Sequence, residues 1–236
     1  MVEVIKTGRK GGKALARAVQ VMRRAGLVAY PTETSYGLGC DATNEEAVRR
    51  VFKAKARNAE KSLPIIVAST SMAAKYLWLD DRALALAKKF MPGPLSLVVP
   101  RKKGLARSLS STGTISFRVS SHEFARALAS RLGKPVVATS ANISGEPPAY
   151  SPQEIVSRFG DEVDLVVDAG KLAERPPSTV LNLASPKPEL LRKGVLAVEV
   201  TRFLQRFSSN RHRPEKKKLV RRRTQRPKPL PHPSKQ

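Results

Sequence analysis

Hydroxyl side chains and glycines are concentrated in one short stretch, YPTETSYGLGC, at residues 30–40. Hydroxyl groups bind the polar atoms of substrates, and Gly37 and Gly39 let the backbone approach a ligand closely. An apolar run at 27–30 predicts a strand before the stretch, and Asn44 predicts the N-cap of a helix after it. Open α/β sheets bind ligands in loops that follow their strands. The stretch is therefore predicted to be either a binding loop or an ordinary strand-to-helix connection.

A cluster of cations follows at the end of the predicted helix, which runs to about residue 56. Lys55, Arg57 and Lys61 together suit a triphosphate, because a guanidinium makes forked contacts with phosphate oxygens. Cations at the C-terminus of a helix also complement the helix dipole without any ligand. The spacing alone leaves both interpretations open.

Two further groups of polar residues lie next to predicted strands. Ser140 and Asn142 come directly after the predicted strand at 135–139, where they offer donors and acceptors to a substrate. The same two residue types equally suit a turn. Ser178 opens one late predicted strand and Arg192 closes another. Each group is a weak signal alone, so a site is predicted only if the fold brings the groups together.

Several common catalytic signatures are missing from the sequence. It has no Walker-type phosphate loop, and Gly37 and Gly39 lack the third glycine of a dinucleotide fingerprint. It also has no Gly-x-Ser-x-Gly nucleophile elbow. Acids in the candidate loops are few, namely Glu33, Asp41 and Glu146. Loops rich in cations and hydroxyls but poor in acid–base groups favour a transfer reaction driven by positioning and charge stabilisation.

The order of predicted elements indicates how these residues are positioned. Strands and helices alternate from about residue 11 to residue 207, which predicts a single α/β domain at 1–207 with a twisted mixed sheet and flanking helices. Residues 208–236 contain almost nothing to bury, and their prolines and bases predict a disordered basic tail. Such a tail either binds RNA phosphates or only increases solubility.

The charge of the chain favours polyanionic partners. The 236 residues carry a formal net charge of +25, and residues 206–236 hold 12 bases and one acid, so the rest of the chain is basic as well. This suits nucleotides or RNA, although evenly spread surface charge gives the same total.

Cys40 is the only cysteine, which predicts a reducing, cytoplasmic location. One cysteine and three histidines predict no protein metal site, and no apolar run reaches the length of a membrane span.

In their order and approximate spacing, these motifs resemble the YrdC-type L-threonylcarbamoyladenylate synthases over about residues 11–207. The matching segments are PTETSYGLG (31–39), KxR (55–57), PLSLV (94–98), FRV (117–119), TSANISG (139–145), STV (178–180) and LRKG (191–194). The resemblance implies one domain around a concave, basic cavity. It also implies that L-threonine, bicarbonate or CO2, and ATP with Mg2+ give threonylcarbamoyl-AMP and pyrophosphate. In that family the product feeds a tRNA threonylcarbamoyl transferase complex.

The resemblance also implies roles for individual residues, by their position in the motifs. The implied catalytic residues, which bind phosphate, are Lys55 and Arg57. The implied contacts to threonine are Thr34, Arg118, Ala138 and Ser178. The implied contacts to the nucleotide are Arg57, Lys61, Thr114, Ser140, Asn142, Pro148 and Arg192. Asn58 and Ser62 stand where that family usually has proline, which predicts a looser turn around Lys61.

Two other functions compete with this interpretation. A non-catalytic RNA-binding protein of the same fold needs only the basic surface and the tail, and it predicts salt-sensitive RNA binding without threonine-dependent consumption of ATP. A carbamoyltransferase of the hydrogenase-maturation type contains a related domain, but it needs zinc-finger and acylphosphatase modules for which this chain has too few cysteines and residues. Arg118 and the hydroxyl-rich stretch argue against the first alternative, because an RNA surface needs no pocket for a small amino acid.

Overall fold

The computed structural model describes residues 2–8 and 12–211 of the chain. Within these residues the helices are α1 (Gly12–Arg23), α2 (Glu45–Ala54), α3 (Thr70–Tyr76), α4 (Asp81–Phe90), α5 (Glu123–Leu132), α6 (Pro152–Phe159) and α7 (Ala197–Arg211). Single turns of 3-10 helix lie at Arg107–Leu109 and Gly160–Glu162. The strands are β1 (Glu3–Lys6), β2 (Val28–Pro31), β3 (Tyr36–Gly39), β4 (Ile65–Ile66), β5 (Leu95–Pro100), β6 (Thr114–Arg118), β7 (Val136–Val137), β8 (Thr139–Ser140), β9 (Leu165–Asp168), β10 (Thr179–Asn182) and β11 (Glu189–Arg192).

The described strands form two mixed sheets, whereas the sequence predicts a single one. The first sheet has the order β1-β9-β2-β3-β8, and the second has the order β11-β10-β5-β6-β4-β7. The pairs β1–β9, β2–β9, β10–β5 and β4–β6 are parallel, and the others are antiparallel. Parallel pairs require long crossover connections. This requirement explains why helices alternate with strands along the chain.

One extended segment, residues 136–140, joins the two sheets. Its first part, β7, pairs with β4 in the second sheet, and its last part, β8, pairs with β3 in the first. Ala138 lies between the two parts, and its N–H donates to the main-chain oxygen of Pro64 over 2.8 Å. Because the segment belongs to both sheets, the strand ends of one sheet lie beside those of the other.

The hydroxyl- and glycine-rich stretch folds as a β-hairpin, so the predicted strand-to-helix loop is wrong. β2 pairs with β3 in an antiparallel register that runs from Val28–Gly39 to Pro31–Tyr36, and residues 32–35 form the turn. Glycine is depleted in strands, and the two glycines of β3 therefore conceal this strand in the sequence. Gly39 is required there, because a Cβ at this position would lie 1.9 Å from the main-chain oxygen of Val137.

The helix before the KxR motif begins and packs as its sequence predicts. The Asn44 side chain accepts a hydrogen bond from the N–H of Ala47 over 3.0 Å and so caps α2. Apolar residues of this helix recur at helical spacing and are buried in the hydrophobic core, namely Val48, Val51 and Phe52. Lys55 is the C-cap of this helix, so the packing of α2 fixes where the motif begins.

The predicted α/β class with a single domain is confirmed. The predicted domain boundary at residue 207 falls inside α7, which continues to Arg211. The rest of the predicted tail, from residue 212 onward, lies outside the described residues. In the part of the chain that the structure describes, no helix is long and apolar enough to cross a membrane.

Candidate active site

A cavity of about 610 Å³ lies where the two sheets meet. Its wall includes the β2–β3 turn, residues 138–140 and parts of β5, β6, β10 and β11. Small-molecule sites commonly have volumes of roughly 300–1,000 Å³. Eight of the residues to which the resemblance assigns a role line this cavity: Thr34, Arg57, Arg118, Ala138, Ser140, Pro148, Ser178 and Arg192. The fold thus brings together residues that are spread over most of the chain.

Lys55 is not among the residues that line the cavity, and the direct phosphate contact implied for it stays a prediction. Its side chain is only 1% exposed and lies beneath the loop after β8. The ammonium donates to the main-chain oxygens of Ser140 at 2.6 Å and of Asn142 at 2.5 Å, and to Asn142 Oδ1 at 3.2 Å. An ammonium has three donors, and these three acceptors use them all. Lys55 therefore holds the loop in place from below.

The buried position of Lys55 also changes its protonation. Burial, followed by repulsion from Arg57, lowers the pKa of the Lys55 ammonium from 10.5 to about 8. Removing a charge from water disfavours the charged form, which is why burial is the larger cause. The ammonium is thus charged at neutral pH and begins to lose its proton in mildly alkaline solution.

Asn142 is buried as well, and its side chain lies within the same loop. The nucleotide contact implied for it stays a prediction. Its Oδ1 accepts from Ser140 Oγ at 2.5 Å. Its Nδ2 donates to the main-chain oxygens of Ile143 and Glu146, each at 2.8 Å. Every polar atom of this amide is thus used within the loop. Asn142 and Lys55 fix the loop, and Ser140 is the residue of the motif that lines the cavity.

Lys61 and Thr114 are also not among the residues that line the cavity, and the contacts implied for them stay predictions. The side chain of Lys61 is exposed, and its main-chain oxygen accepts from Arg57 Nε at 3.4 Å. The hydroxyl of Thr114 lies 2.9 Å from that of Thr112 at the start of β6. Ser116 is two residues further on the same face of β6, and it lines the cavity.

Arg57 is the cation of the KxR motif that does line the cavity. Its Nη2 donates to the main-chain oxygen of Ser62 at 2.9 Å, so the following turn holds the guanidinium in place. Partial burial lowers the pKa of Arg57. An arginine nevertheless stays charged in proteins, so this side chain brings a fixed positive charge to the cavity.

Arg118 brings a second guanidinium from the end of β6. Its side chain is 11% exposed, and its Nε lies 3.2 Å from Oε1 of Glu33, whose side chain is 8% exposed. The Ser120 hydroxyl donates a short hydrogen bond to Oε2 of Glu33. Glu33 is not among the residues that line the cavity. The carboxylate is therefore not part of the cavity wall.

Arg192 and Ser178 form one hydrogen-bonded unit on the opposite strands. Arg192 donates from Nε to the main-chain oxygen of Ser178 at 2.9 Å and from Nη2 to its hydroxyl at 2.7 Å. The antiparallel pairing of β10 with β11 brings the two residues together. Partial burial, followed by repulsion from Arg118, lowers the pKa of Arg192.

The cavity wall is positively charged and rich in hydroxyls. Among the described residues, the charged side chains that line it are all arginines, namely Arg57, Arg118, Arg175 and Arg192. Such a wall suits an anionic ligand whose oxygens accept hydrogen bonds. No group of three or more His, Cys, Asp or Glu side chains that could hold a metal ion lies among the described residues.

The sequence of this domain matches a known family. Residues 20–194 match the Sua5/YciO/YrdC family, which carries the description telomere recombination. The chain belongs to the Sua5/YciO/YrdC family. The resemblance seen in the motifs is thereby confirmed.

Relatives of this Sua5/YciO/YrdC chain carry a consistent name. A threonylcarbamoyl-AMP synthase from Idiomarina loihiensis is 41% identical over 165 residues, which are 67% of this chain and 88% of that protein. A threonylcarbamoyl-AMP synthase from Pyrococcus abyssi is 39% identical over 186 residues, which are 77% of this chain and 54% of that protein. The chain thus spans about half the length of the Pyrococcus relative.

A solved structure with a bound amino acid is similar to this Sua5/YciO/YrdC domain. The crystal structure of Pyrococcus abyssi Sua5 complexed with L-threonine has a TM-score of 0.77 and 35% sequence identity. The match covers 82% of this chain and 57% of that one.

The cavity of this Sua5/YciO/YrdC domain also includes residues that the motifs did not single out. Ser116 lines it, and strand alternation from Arg118 is a signal that would have found this residue. Arg175 lines it too, but it lies in an irregular segment before two prolines and gave no signal. Tyr36, which stands in the PTETSYGLG segment, lines the cavity as well. Its hydroxyl donates to the main-chain oxygen of Gly170 at 2.8 Å.

Proposed function

We propose that the chain is an L-threonylcarbamoyl-AMP synthase, which forms threonylcarbamoyl-AMP and pyrophosphate from L-threonine, bicarbonate or CO2, and ATP. The observation that carries this proposal is that Thr34, Arg57, Arg118, Ser140 and Arg192 line a single cavity. The names of two relatives and the threonine complex of a similar structure support the same assignment.

In this proposal, threonine binds beside the β2–β3 turn and β6. The forked guanidinium of Arg118 pairs with the threonine carboxylate, a geometry for which arginine is well suited. The hydroxyl groups of Thr34 and Ser178 and the backbone at Ala138 supply neutral polar contacts. Arg118 supports this placement because it is buried. In the described part of the chain, it is also the only arginine of the wall that is paired with a carboxylate.

ATP binds, in the same proposal, on the side of the cavity formed by Arg57 and the loop after β8. Arg57 and Ser140 contact the phosphates, and Arg192 and the backbone at Pro148 contact the rest of the nucleotide. Mg2+ enters with ATP and is held chiefly by phosphate oxygens. This fits a wall that offers hydroxyl and main-chain oxygens but no carboxylates among the described residues. The bound ion supplies positive charge that offsets the charge of the phosphates.

The reaction then proceeds in two steps. The amine of threonine adds to CO2, which forms a C–N bond, gives a carbamate and releases a proton. A carbamate oxygen next attacks the α-phosphorus of ATP, a new P–O bond forms, the bond to the bridging oxygen breaks, and pyrophosphate leaves. The arginines hold the two anionic reactants together and stabilise the charge that develops on the phosphates.

The proposal also extends to partners. The product, a mixed anhydride of a carbamate and AMP, is an activated acyl donor, so a transferase must consume it. We propose a tRNA threonylcarbamoyl transferase complex as that consumer. The net charge of +25 supports a contact between the basic surface of the chain and RNA.

Release of pyrophosphate tests the proposal against RNA binding alone. The full-length chain is incubated with ATP, Mg2+, L-threonine and bicarbonate, and each substrate is omitted in turn. The proposal predicts release only in the complete mixture. RNA binding that weakens with salt, together with no threonine-dependent release, would instead support the non-catalytic alternative.

A further inference from the structure

A buried carboxylate pairs with Arg118. Glu33 occupies the β2–β3 turn, next to the cavity-lining Thr34, yet it does not line the cavity itself. Its Oε1 lies 3.2 Å from Arg118 Nε, and both side chains are nearly buried, with 8% and 11% of their surface exposed. The two charges face each other across the junction between the first sheet and the second.

Stability does not explain this pair. Burying two charges costs a desolvation penalty that their attraction often fails to offset, especially where hydrogen bonding is incomplete. Here Glu33 Oε1 and Arg118 Nε are both buried without a hydrogen-bond partner among the described residues, so the contact is a charge pair with imperfect geometry. A pair that stabilises the fold so little points to a role in arranging the site.

The carboxylate is itself held firmly. Its Oε2 accepts a short hydrogen bond from the hydroxyl of Ser120. That same hydroxyl accepts from the N–H of His122 at 3.1 Å, which ties the carboxylate to the start of α5. The backbone of Arg118 is fixed too, because its main-chain oxygen accepts from the N–H of Val67 at 3.0 Å. Glu33 thus offers a hydrogen-bonded negative charge to one edge of a guanidinium whose backbone is itself hydrogen-bonded to Val67.

The other edge of the guanidinium is free for a ligand. Nε is buried against Glu33, whereas no hydrogen bond joins the two terminal nitrogens of Arg118 to another of the described residues. Arg118 is one of the residues that line the cavity. Pairing at Nε therefore leaves the two terminal nitrogens for a ligand in the cavity, and the fork that they form matches a carboxylate.

We propose that Glu33 is a positioning residue that orients Arg118 for the carboxylate of the amino-acid substrate. The inference rests on the proposed function, since it assumes that Arg118 binds threonine. Glu33 does not touch the substrate. It acts by holding Nε, so that the two terminal nitrogens present a preset fork and lose little freedom when the ligand binds.

The test measures binding of L-threonine to the full chain by calorimetry, without ATP. Glu33→Gln keeps the shape of the side chain and removes its charge. We expect its affinity for threonine to fall about tenfold. In metal sites, removal of a residue that supports a ligand lowers the affinity for the metal by about 10- to 100-fold, and we take the lower end of that range. Its affinity for Mg2+–ATP, which Arg118 does not bind in this proposal, should stay within about twofold of the wild type.

A second ligand separates positioning from a general structural effect. L-threonine amide lacks the carboxylate, so its affinity does not depend on the fork of Arg118. The preference of the wild type for threonine over the amide should shrink in Glu33→Gln. A variant that is merely loosened would bind both ligands less well and keep the preference. In an Arg118→Lys background, which already lacks the fork, Glu33→Gln should have little further effect on threonine binding.

Glu3→Gln is the matched control, because Glu3 pairs with Arg17 at 2.7 Å outside the cavity. It should bind threonine like the wild type.

If Glu33→Gln does not fold, Glu33→Asp keeps the charge with a shorter reach and should give a smaller loss of the same preference. Unchanged threonine affinity and preference in the Glu33 variants would overturn this inference alone. Failure of the wild type to bind threonine would overturn the proposed function, and this inference with it.

Discussion

The ammonium nitrogen of Lys55 lies 2.5 Å from the main-chain oxygen of Asn142. It also donates to the main-chain oxygen of Ser140, which is 85 residues away along the chain. The end of α2 is thereby attached to the loop that presents the Ser140 hydroxyl to the cavity. The lysine and the arginine of the KxR motif thus have different tasks, since Lys55 supports the wall and Arg57 forms part of it.

The support from Lys55 predicts a dependence of activity on pH. Its pKa of about 8 means that the free enzyme loses this proton in mildly alkaline solution, and with it one of the three donors that hold the loop. We expect kcat/KM for ATP, which reports on the free enzyme, to fall as pH rises through about 8. A pH series of pyrophosphate release measures this. A profile that is flat from pH 7 to 9 would contradict the role given to Lys55.

The same group predicts that stability moves in the opposite direction. Between the folded pKa of about 8 and the unfolded value of 10.5, the unfolded chain binds more protons at Lys55 than the folded chain does. The free energy of unfolding of the wild type should therefore rise across this range of pH, relative to Lys55→Met, which has no proton to lose. Denaturant unfolding of both proteins at several pH values gives the difference. If the free energy of unfolding of the wild type fell relative to that of Lys55→Met over this range, the pKa of Lys55 in the folded protein would not be lowered.

The division of roles around the KxR motif predicts very different effects for two neighbouring cations. Arg57→Ala removes a fixed charge from the cavity wall and should slow pyrophosphate release about 10²–10³-fold, by comparison with the loss of one oxyanion-hole donor. Lys61→Ala is the control, because the Lys61 side chain is exposed and lies off the wall. Its rate should stay within about twofold, as for most surface substitutions. Equal losses in the two variants would contradict this account of the motif.

Close packing behind Ser178 predicts that Gly194 tolerates no side chain. A Cβ at Gly194 would lie 2.3 Å from the main-chain oxygen of Pro177 and 2.4 Å from the main-chain atoms of Ser178 and Thr179. Gly194→Ala should therefore lower the free energy of unfolding by about 1–3 kcal/mol, as overpacking does, and weaken threonine binding. Gly12→Ala is the control, since a Cβ there meets nothing within 4 Å. Denaturant unfolding and calorimetry measure both effects. Equal stability of the two variants would contradict this prediction, because it would show that the main chain around Gly194 shifts to accept the added methyl group at little cost.

Much of the fold and the site could be predicted from the sequence, because the motifs sit in loops and at strand ends. The topology places such positions side by side, and Thr34, Arg118 and Ser178 accordingly line one cavity. The α/β class followed from the alternation of apolar runs with capped helices such as α2.

The errors have identifiable physical causes. The strand β3 was missed because glycine is unfavourable in strands, and only the contact of Gly39 with Val137 explains why glycine is needed there. The burial of Lys55 was not predicted, because a cation at a helix end is normally exposed. Local sequence cannot show that a distant loop covers this side chain. The pairing of Glu33 with Arg118 is likewise a contact between two sheets that no local pattern records.

Transfer of bicarbonate carbon into a nucleotide tests the central claim most directly. The chain is incubated with ATP, Mg2+, L-threonine and carbon-13 bicarbonate, and the nucleotides are identified by mass spectrometry, with Arg118→Ala as the control. We predict a labelled threonylcarbamoyl-AMP that is formed by the wild type and is strongly reduced with Arg118→Ala. Nucleotide products that contain no labelled carbon, from a wild type that is folded and binds ATP, would contradict the proposed function.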